Sequence, residues 1–164
     1  MPKALKPGDP APPFDMPAAG GGRAKLSALN GKHVVLYFYP KDDTPGCTLE
    51  ALNFTEKAKE FSRLNAAIIG VSRDSCGKHE KFVEKHALSH MLASDEGGEV
   101  CAAYGVWVEK SMYGRRYMGV ERPSVITGEE LIALSDMALL QRVGEVDIFA
   151  ETEPNQKERI LAAL

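Results

Sequence analysis

The sequence has few of the features that mark nucleic-acid-binding proteins or membrane proteins. Its 164 residues include 3 cysteines and 1 tryptophan. The net charge is −3, and the sequence contains no run of five basic residues. Such a charge gives no electrostatic support for a nucleic-acid-binding surface. No apolar stretch approaches the roughly 18 residues that a membrane helix needs. We therefore predict neither a nucleic-acid partner nor a membrane association.

Targeting, metal and cofactor patterns are also missing. Residues 1–10 lack the apolar core of a signal peptide, so we expect a cytoplasmic protein. An odd number of cysteines fits a reducing compartment better than a disulfide framework. The sequence has neither Cys-x-x-Cys nor His-Glu-x-x-His, and the three glycines at 20–22 lack the lysine of a phosphate-binding loop. We predict no metal and no organic cofactor.

Two continuous apolar runs dominate what is present. Residues 33–39 and 66–71 are β-prone throughout, which is typical of strands buried on both faces. Between them, apolar residues recur at helical spacing, at Cys47, Ala51, Phe54, Ala58 and Phe61. Strands that alternate with helices over short loops predict a parallel sheet flanked by helices. We predict one α/β domain over residues 1–164.

The remaining elements are predicted from shorter patterns. A hairpin of short strands is expected at residues 14–16 and 24–26, and a second one at 106–120 with Gly114 at its turn. Further elements are expected as follows: a helix around 82–87, a strand at 91–93, a helix at 99–104, extended chain at 124–127, strands at 131–134 and 143–149, a helix at 137–142, and a closing helix from Pro154.

The chemically informative position is the junction between the first buried strand and its helix. Thr44 and Cys47 lie there, at the sheet edge where open α/β sheets bind ligands. A thiol at a helix N-terminus faces unpaired N–H groups and the positive end of the helix dipole, which together favour the thiolate. The alternative interpretation is a small buried apolar residue. Because the helix follows a polar loop, we expect Cys47 to be accessible and reactive.

Residues 37–50, Tyr-Phe-Tyr-Pro-Lys-Asp-Asp-Thr-Pro-Gly-Cys-Thr-Leu-Glu, resemble the active-site segment of the peroxiredoxins, above all the branch called bacterioferritin comigratory protein or peroxiredoxin Q. The family motif Pro-x-x-x-Thr-x-x-Cys falls on Pro40, Thr44 and Cys47. Further similar segments extend the resemblance over residues 6–127. It implies a thioredoxin-like fold, with a central mixed β-sheet flanked by helices and an N-terminal β-hairpin.

The resemblance also implies roles for individual residues. Cys47 attacks the O–O bond of a hydroperoxide and becomes a sulfenic acid. The Thr44 hydroxyl bonds the sulfur or the peroxide, and Pro40 shapes the loop. Arg122 matches the family's active-site arginine, whose charge and several donors suit a thiolate and a developing oxyanion. Taken alone, Arg122 would be interpreted as a surface residue.

The implied activity is antioxidant peroxide reduction with a recycling thiol. The substrates are hydrogen peroxide and organic hydroperoxides, and the reductant is thioredoxin or a similar dithiol. The resemblance further suggests a monomer or weak homodimer. After Ser124 the sequence leaves the family pattern, which puts the last part of the sheet in doubt.

The second thiol of the cycle is not fixed by the sequence. Many relatives carry a resolving cysteine five residues after the first, where this chain has Leu52, so that short-range disulfide cannot form. Other relatives use a position that corresponds to Val83, and Cys76 lies two helical turns before it. Cys76 is therefore the tentative resolving cysteine, whereas Cys101 is interpreted as core. A one-cysteine cycle, in which an external thiol reduces the sulfenic acid, stays open.

Two other functions compete with the peroxidase. A thioredoxin-like disulfide oxidoreductase needs a second cysteine near Cys47, which the sequence does not supply. A thioredoxin-fold binding or chaperone module would leave Cys47 without a chemical role. The ordered set of Thr44, Cys47 and Arg122 favours the peroxidase over both.

Overall fold

The computed structural model describes residues 5, 8–120, 125–127, 137 and 148–150. The chain divides into two compact units, Met1–Arg122 and Pro123–Leu164, and each is described by itself. The single domain expected over residues 1–164 stays a prediction.

The first unit begins with the predicted N-terminal hairpin. Strands β1 (Asp15–Pro17) and β2 (Arg23–Lys25) pair antiparallel, with a 3-10 turn at Ala19–Gly21 between them and another at Leu26–Leu29 after them. Ala18, at the end of β1, also forms an antiparallel bridge to Ala93. The hairpin thus lies alongside the strand that contains Ala93.

A parallel three-stranded sheet forms the centre of this unit. Its strands are β3 (His33–Phe38), β4 (Ala66–Ser72) and β5 (Met91–Ser94), in the order β3-β4-β5. The two uninterrupted apolar runs become neighbouring strands, in register from His33 opposite Ala66 onward. Both strand predictions are confirmed, because continuous apolar β-prone runs can be buried on both faces of a parallel sheet.

Helices connect these parallel strands. Helix α1 (Pro45–Arg63) joins β3 to β4, and helix α2 (Cys76–His86) joins β4 to β5. Right-handed crossovers place both helices on the same face of the sheet. Helix α1 begins two residues before Cys47, because the fixed φ of proline suits the first helical position and Thr44 is extended. A short helix, α3 (Glu99–Ala103), follows β5.

Each face of the sheet has its own hydrophobic core. The face under α1 and α2 buries Tyr37, Tyr39, Cys47, Ala51, Ile68, Phe82, Leu88 and Leu92. The opposite face buries Phe14, Met16, Ala24, Phe38, Ile69, Val71, Ala93, Cys101 and Val120. Tyr37 and Phe38, which are adjacent in β3, lie in different cores because successive side chains of a strand point to opposite faces.

The predicted second hairpin is also present. Strands β6 (Trp107–Met112) and β7 (Arg115–Val120) pair antiparallel around Tyr113 and Gly114, whose φ values of +52° and +75° suit a tight primed turn. In the second unit, β8 (Val125–Thr127) and β9 (Ile148–Ala150) pair parallel. The predicted strand at 131–134, most of the helix at 137–142, the start of the strand at 143–149 and the helix from Pro154 lie outside the described residues.

Candidate active site

Cys47 is the third residue of α1 and follows the carboxyl end of β3. Thr44 is the N-cap, with an extended backbone, and the Thr48 N–H donates to the Thr44 carbonyl at 2.8 Å. Asp43, just before the cap, has a φ of +58°, a left-handed conformation that aspartate tolerates better than most residues. This turn redirects the chain from the sheet into the helix and places the sulfur in the first helical turn.

The sulfur is not accessible, so the expectation from the polar loop is wrong. Cys47 is only 3% exposed and packs within the core under α1 and α2, together with Tyr37, Tyr39, Ala51 and Phe82. The helix turns its apolar stripe inward, and Cys47 is the first member of that stripe. Burial alone would favour an inert thiol, whereas the first turn of a helix favours the thiolate.

The other predicted site residues are Thr44, Pro40 and Arg122, of which the structure describes the first two. Thr44 is half-buried, and its hydroxyl donates to the Lys41 carbonyl at 3.2 Å instead of capping the helix. The first N–H groups of α1 have no intrahelical partners, and the Thr44 side chain leaves them uncapped. Pro40 is exposed and ends β3. Arg122 lies outside the described residues, in the gap between Val120 and Val125.

A buried polar network lies next to Cys47. The Tyr39 hydroxyl donates to one oxygen of Asp42 at 2.7 Å, and Nδ1 of His79 bonds the other oxygen at 2.7 Å. His79 is fully buried on α2, and Tyr39 is 1% exposed. Burial, reinforced by the Asp42 charge, raises the pKa of Tyr39. The active-site loop is thereby connected to the second helix beneath the surface.

Asp74 provides a second connection between the two helix starts. Its Oδ2 accepts from the Asp42 N–H at 2.8 Å, and its Oδ1 accepts from Lys78 at 3.0 Å. Burial by itself raises the pKa of Asp74, but the bonds from Asp42 and Lys78 outweigh it and leave that pKa below its usual value. The loop after β3 and the loop after β4 are therefore joined directly.

The three cysteines are all free thiols. Cys76 is half-buried at the first position of α2, so it lies at the same sheet edge as Cys47, as predicted. Cys101 is fully buried in the opposite core, as predicted. Burial raises the pKa of the Cys101 thiol to about 12, and Asp95 adds to this effect. Of the two candidates for a second thiol, the structure puts only Cys76 on the Cys47 side of the sheet.

Tyr37 lies in the same core as Cys47 and belongs to the sheet. Its ring stacks on Phe54 of α1 with 4.5 Å between centroids, and its hydroxyl forms a 2.7 Å hydrogen bond with Nε2 of His90. Nδ1 of His90 lies 3.3 Å from the Thr55 hydroxyl. Burial lowers the pKa of His90 to about 4. His90 is therefore neutral near pH 7 and fixes Tyr37 against the helix that contains Cys47.

The sequence interpretation missed Asp42 and His79 as parts of the site. It gave His79 no role, whereas the structure buries His79 and pairs it with Asp42. The available signal was position: His79, Phe82, Val83 and His86 follow the i, i+3, i+4, i+7 spacing of one helix face.

Among the described residues, no cluster of three or more potential metal-ligating side chains is found. None of the helices in that part of the chain is long and apolar enough to cross a membrane.

Comparison with known proteins identifies the family. The AhpC/TSA family model matches residues 7–132. Over 123 residues the chain is 46% identical to Peroxiredoxin Bcp of Bacillus subtilis, which covers 75% of this chain and 78% of that protein. It is 40% identical to Peroxiredoxin Bcp of Escherichia coli K12 over 122 residues, 74% of this chain and 78% of that protein.

Solved structures agree with the sequence relatives. The bacterioferritin comigratory protein of Xanthomonas campestris, studied for its alkyl peroxide reduction activity, superposes with a TM-score of 0.64 at 42% identity and covers 66% of this chain and 69% of its own. Peroxidoxin BcpB of Mycobacterium tuberculosis superposes with a TM-score of 0.61 at 40% identity, covering 70% and 73%. The chain therefore belongs to the AhpC/TSA family and, within it, to the Bcp or peroxiredoxin Q peroxiredoxins, which are thiol-dependent peroxidases of thioredoxin-like fold.

Proposed function

We propose that Cys47 is the sulfur that reduces hydrogen peroxide and organic hydroperoxides in this peroxidase. The observation that carries the proposal is the position of Cys47 in the first turn of α1, three residues after the Thr44 N-cap. The N–H groups of this turn point toward the helix start, where they stabilise negative charge. The thiolate and the oxyanion that develops as the O–O bond breaks both gain from this arrangement.

The chemical step is a displacement at oxygen. The Cys47 thiolate attacks one peroxide oxygen and forms an S–O bond, while the O–O bond breaks. The second oxygen leaves with the electron pair and takes up a proton to become water or an alcohol. Cys47 is left as a sulfenic acid.

Three further residues would assist this step. The Thr44 hydroxyl already donates to Lys41, and its remaining lone pairs can accept the proton of the peroxide O–H. Arg122 would hold the thiolate and the developing oxyanion through its fixed charge. Pro40 would fix the direction in which the loop leaves β3. The roles of Thr44 and Pro40 follow from the matching family motif, and the role of Arg122 follows from its match to the family's active-site arginine.

A thiol must then return Cys47 to its reduced state. A thiol that attacks the sulfenic acid forms a disulfide and releases water, and a second thiol reduces that disulfide. We propose thioredoxin or a similar dithiol as the electron donor and Cys76 as the candidate resolving thiol within the chain. Val83 packs against the Cys47 core, and Cys76 lies seven residues earlier, about 10 Å along the helix axis. We expect a Cys47–Cys76 disulfide to involve local unwinding, because its Cα atoms must come within about 7 Å of each other.

The cellular compartment and the oligomeric state of the enzyme are also proposals. The net charge of −3 gives no electrostatic support for binding nucleic acid, and the three cysteines suit a reducing cytoplasm. We propose a cytoplasmic antioxidant enzyme that acts as a monomer or weak homodimer.

A single-turnover experiment tests the role of Cys47. Reduced protein is freed of reductant and mixed with one equivalent of hydrogen peroxide, and the remaining peroxide is measured. We expect the native chain to consume about one equivalent per chain, and Cys47→Ser to consume none while it keeps its circular dichroism spectrum. Cys101→Ser is the matched control and should behave like the native chain. Consumption of peroxide by folded Cys47→Ser would overturn the proposal.

A further inference from the structure

Asp42 and His79 form a buried pair that ties the active-site loop to α2. Nδ1 of His79 and Oδ2 of Asp42 are 2.7 Å apart, with the side chains 0% and 7% exposed. Because a carboxylate only accepts hydrogen bonds, the imidazole donates. A charge-assisted bond in a buried site is among the stronger hydrogen bonds of a protein. Its two partners are separated by 37 residues and belong to different elements.

The imidazole of His79 is held through one nitrogen alone. Nε2 is buried and has no hydrogen-bond partner in the described part of the chain. The polar contacts of Nδ1 are Asp42 and, at a longer 3.4 Å, the Tyr39 hydroxyl. Both partners lie at the end of β3 and in the loop that leads into α1. All of the polar fixation of His79 is therefore directed at the segment that precedes Cys47.

A second pair joins the same loop to the same helix, but at the surface. Asp43 bonds Lys85 at 2.5 Å and Nε2 of His86 at 2.9 Å. These two partners lower the pKa of Asp43. The Asp43 side chain is 47% exposed, and exposed ion pairs contribute little to stability. The buried pair is thus the stronger of the two connections, and the exposed pair offers a natural control.

The reaction cycle places opposite demands on this connection. A small hydroperoxide has to meet a Cys47 whose loop is held in place. A thiol on a protein must afterwards reach a sulfur that is 3% exposed in the closed structure. A disulfide also requires Cα atoms within about 7 Å of each other. Because Cys47 shares a core with Phe82 of α2, we expect the first turn of α1 to move away from α2 before a protein thiol reaches the sulfur.

We propose that the Asp42–His79 pair is the latch that holds the Cys47 segment closed for the peroxide step and limits its opening for the thiol step. The inference rests on the proposed role of Cys47. His79 acts as a positioning residue, since it controls the loop and does not touch the reacting atoms. Weakening the pair should slow the first step and speed the second.

Hydrogen exchange tests the latch without any peroxide, so the outcome does not depend on whether Cys47 is the reactive sulfur. We expect His79→Leu to raise the exchange rate of amides 41–52 by on the order of tenfold, as loss of a buried charge-assisted bond implies. Exchange in β5 should not change. His79→Asn keeps a donor near the position of Nδ1 and should restore most of the protection. Lys85→Gln, at the exposed ion pair with Asp43, should leave it within twofold.

Rapid-mixing kinetics supply the second readout. In His79→Leu the peroxide rate constant should fall, and the rate at which a protein dithiol such as thioredoxin reduces oxidised Cys47 should rise. Loss of stability alone would not move the two rates in opposite directions. If His79→Leu fails to fold, Asp42→Asn weakens the same bond at constant size and is likewise expected to lower the peroxide rate constant and raise the reduction rate. Unchanged exchange at 41–52, or His79→Asn behaving like His79→Leu, would overturn the latch.

Discussion

The Tyr37 ring occupies the space that a side chain on Gly70 would need. A Cβ atom on Gly70 would lie 2.5 Å from the Tyr37 hydroxyl oxygen and 2.8 Å from a methyl carbon of Leu92. Tyr37 and Gly70 are register partners in β3 and β4, and both Tyr37 and Leu92 belong to the core that buries Cys47. The missing side chain at Gly70 therefore lets Tyr37 lie flat across the sheet beneath α1.

We therefore expect Gly70→Ala to displace Tyr37 and so to disturb the core that contains Cys47. Tyr37 cannot move freely, because it stacks on Phe54 and bonds His90. We expect the free energy of unfolding to fall by about 1–3 kcal/mol, the usual effect of overpacking a core, and the peroxide rate constant to fall with it. Urea unfolding and single-turnover peroxide consumption check the two effects.

Gly77→Ala is the matched control for that substitution. Gly77 lies in the first turn of α2, where an added methyl group would meet no atom within 4 Å apart from the backbone of its own helix. Alanine also favours helices by up to about 1 kcal/mol over glycine. The variant should be as stable as the native chain or slightly more so. Equal losses at positions 70 and 77 would contradict the packing argument.

His90 should make stability depend on pH. Burial lowers its pKa to about 4, whereas an unfolded histidine titrates near 6.5. Between these values the unfolded chain binds a proton that the folded chain does not, so stability falls as the pH drops from about 6.5 toward 4. Above pH 7 both states are neutral at this residue, and its contribution to the pH dependence disappears.

The measurement compares His90→Gln with the native chain in urea at a series of pH values. The difference in unfolding free energy between the two proteins should change by on the order of 2 kcal/mol between pH 7 and pH 4.5. His33→Gln, which removes an exposed histidine at the start of β3, is the control. A difference that stays constant over this range would show that His90 titrates normally in the folded protein.

Cys101 should be the least reactive thiol of the native chain. With a pKa of about 12, its thiolate fraction at pH 8 is about a thousandfold below that of an ordinary cysteine. Iodoacetamide at pH 8 should label Cys76 and leave Cys101 unmodified, whereas both should react in urea. Peptide mass mapping reads out each site. Labelling of Cys101 at the rate of Cys76 in the folded protein would show that its core opens readily.

The sheet and its helices follow from local patterns, and these predictions are confirmed. Residues 33–39 and 66–71 are apolar at every or nearly every position, so few structures other than a doubly covered strand can bury them. The helix from Pro45 likewise follows from the period of its apolar residues. Local signals suffice here because each element's own sequence determines its spacing.

The accessibility of Cys47 could not be predicted in the same way, because two local signals conflict. The polar loop before the helix suggests an exposed thiol, whereas the stripe that continues through Ala51 and Phe54 suggests an inward one. Packing of Phe82 from α2 decides between them. The Asp42–His79 pair was beyond sequence reasoning for a related reason: its partners meet only after β3 and β4 have paired.

Cys76 decides which reaction cycle the enzyme uses. It is the only cysteine besides Cys47 on this side of the sheet, and it is half-buried at the first position of α2. If Cys76 resolves the sulfenic acid, one equivalent of peroxide should produce a Cys47–Cys76 disulfide within one chain, detectable by peptide mass mapping. Cys76→Ser should then accumulate sulfenic acid at Cys47 and lose most of its thioredoxin-driven turnover.

The alternative cycle predicts the opposite pattern, and the two are separable in one series. With a one-cysteine cycle, Cys76→Ser keeps its turnover with an external thiol, and the native chain shows sulfenic acid at Cys47 after oxidation. We expect the disulfide to involve unwinding at the start of α2, where Cys76 is the first residue, because the two Cα atoms must come within about 7 Å of each other. Oxidation should therefore raise hydrogen exchange at residues 75–79 as well as in the first turn of α1. Oxidised protein that forms the disulfide without this added exchange would show that the two helix starts approach as rigid elements.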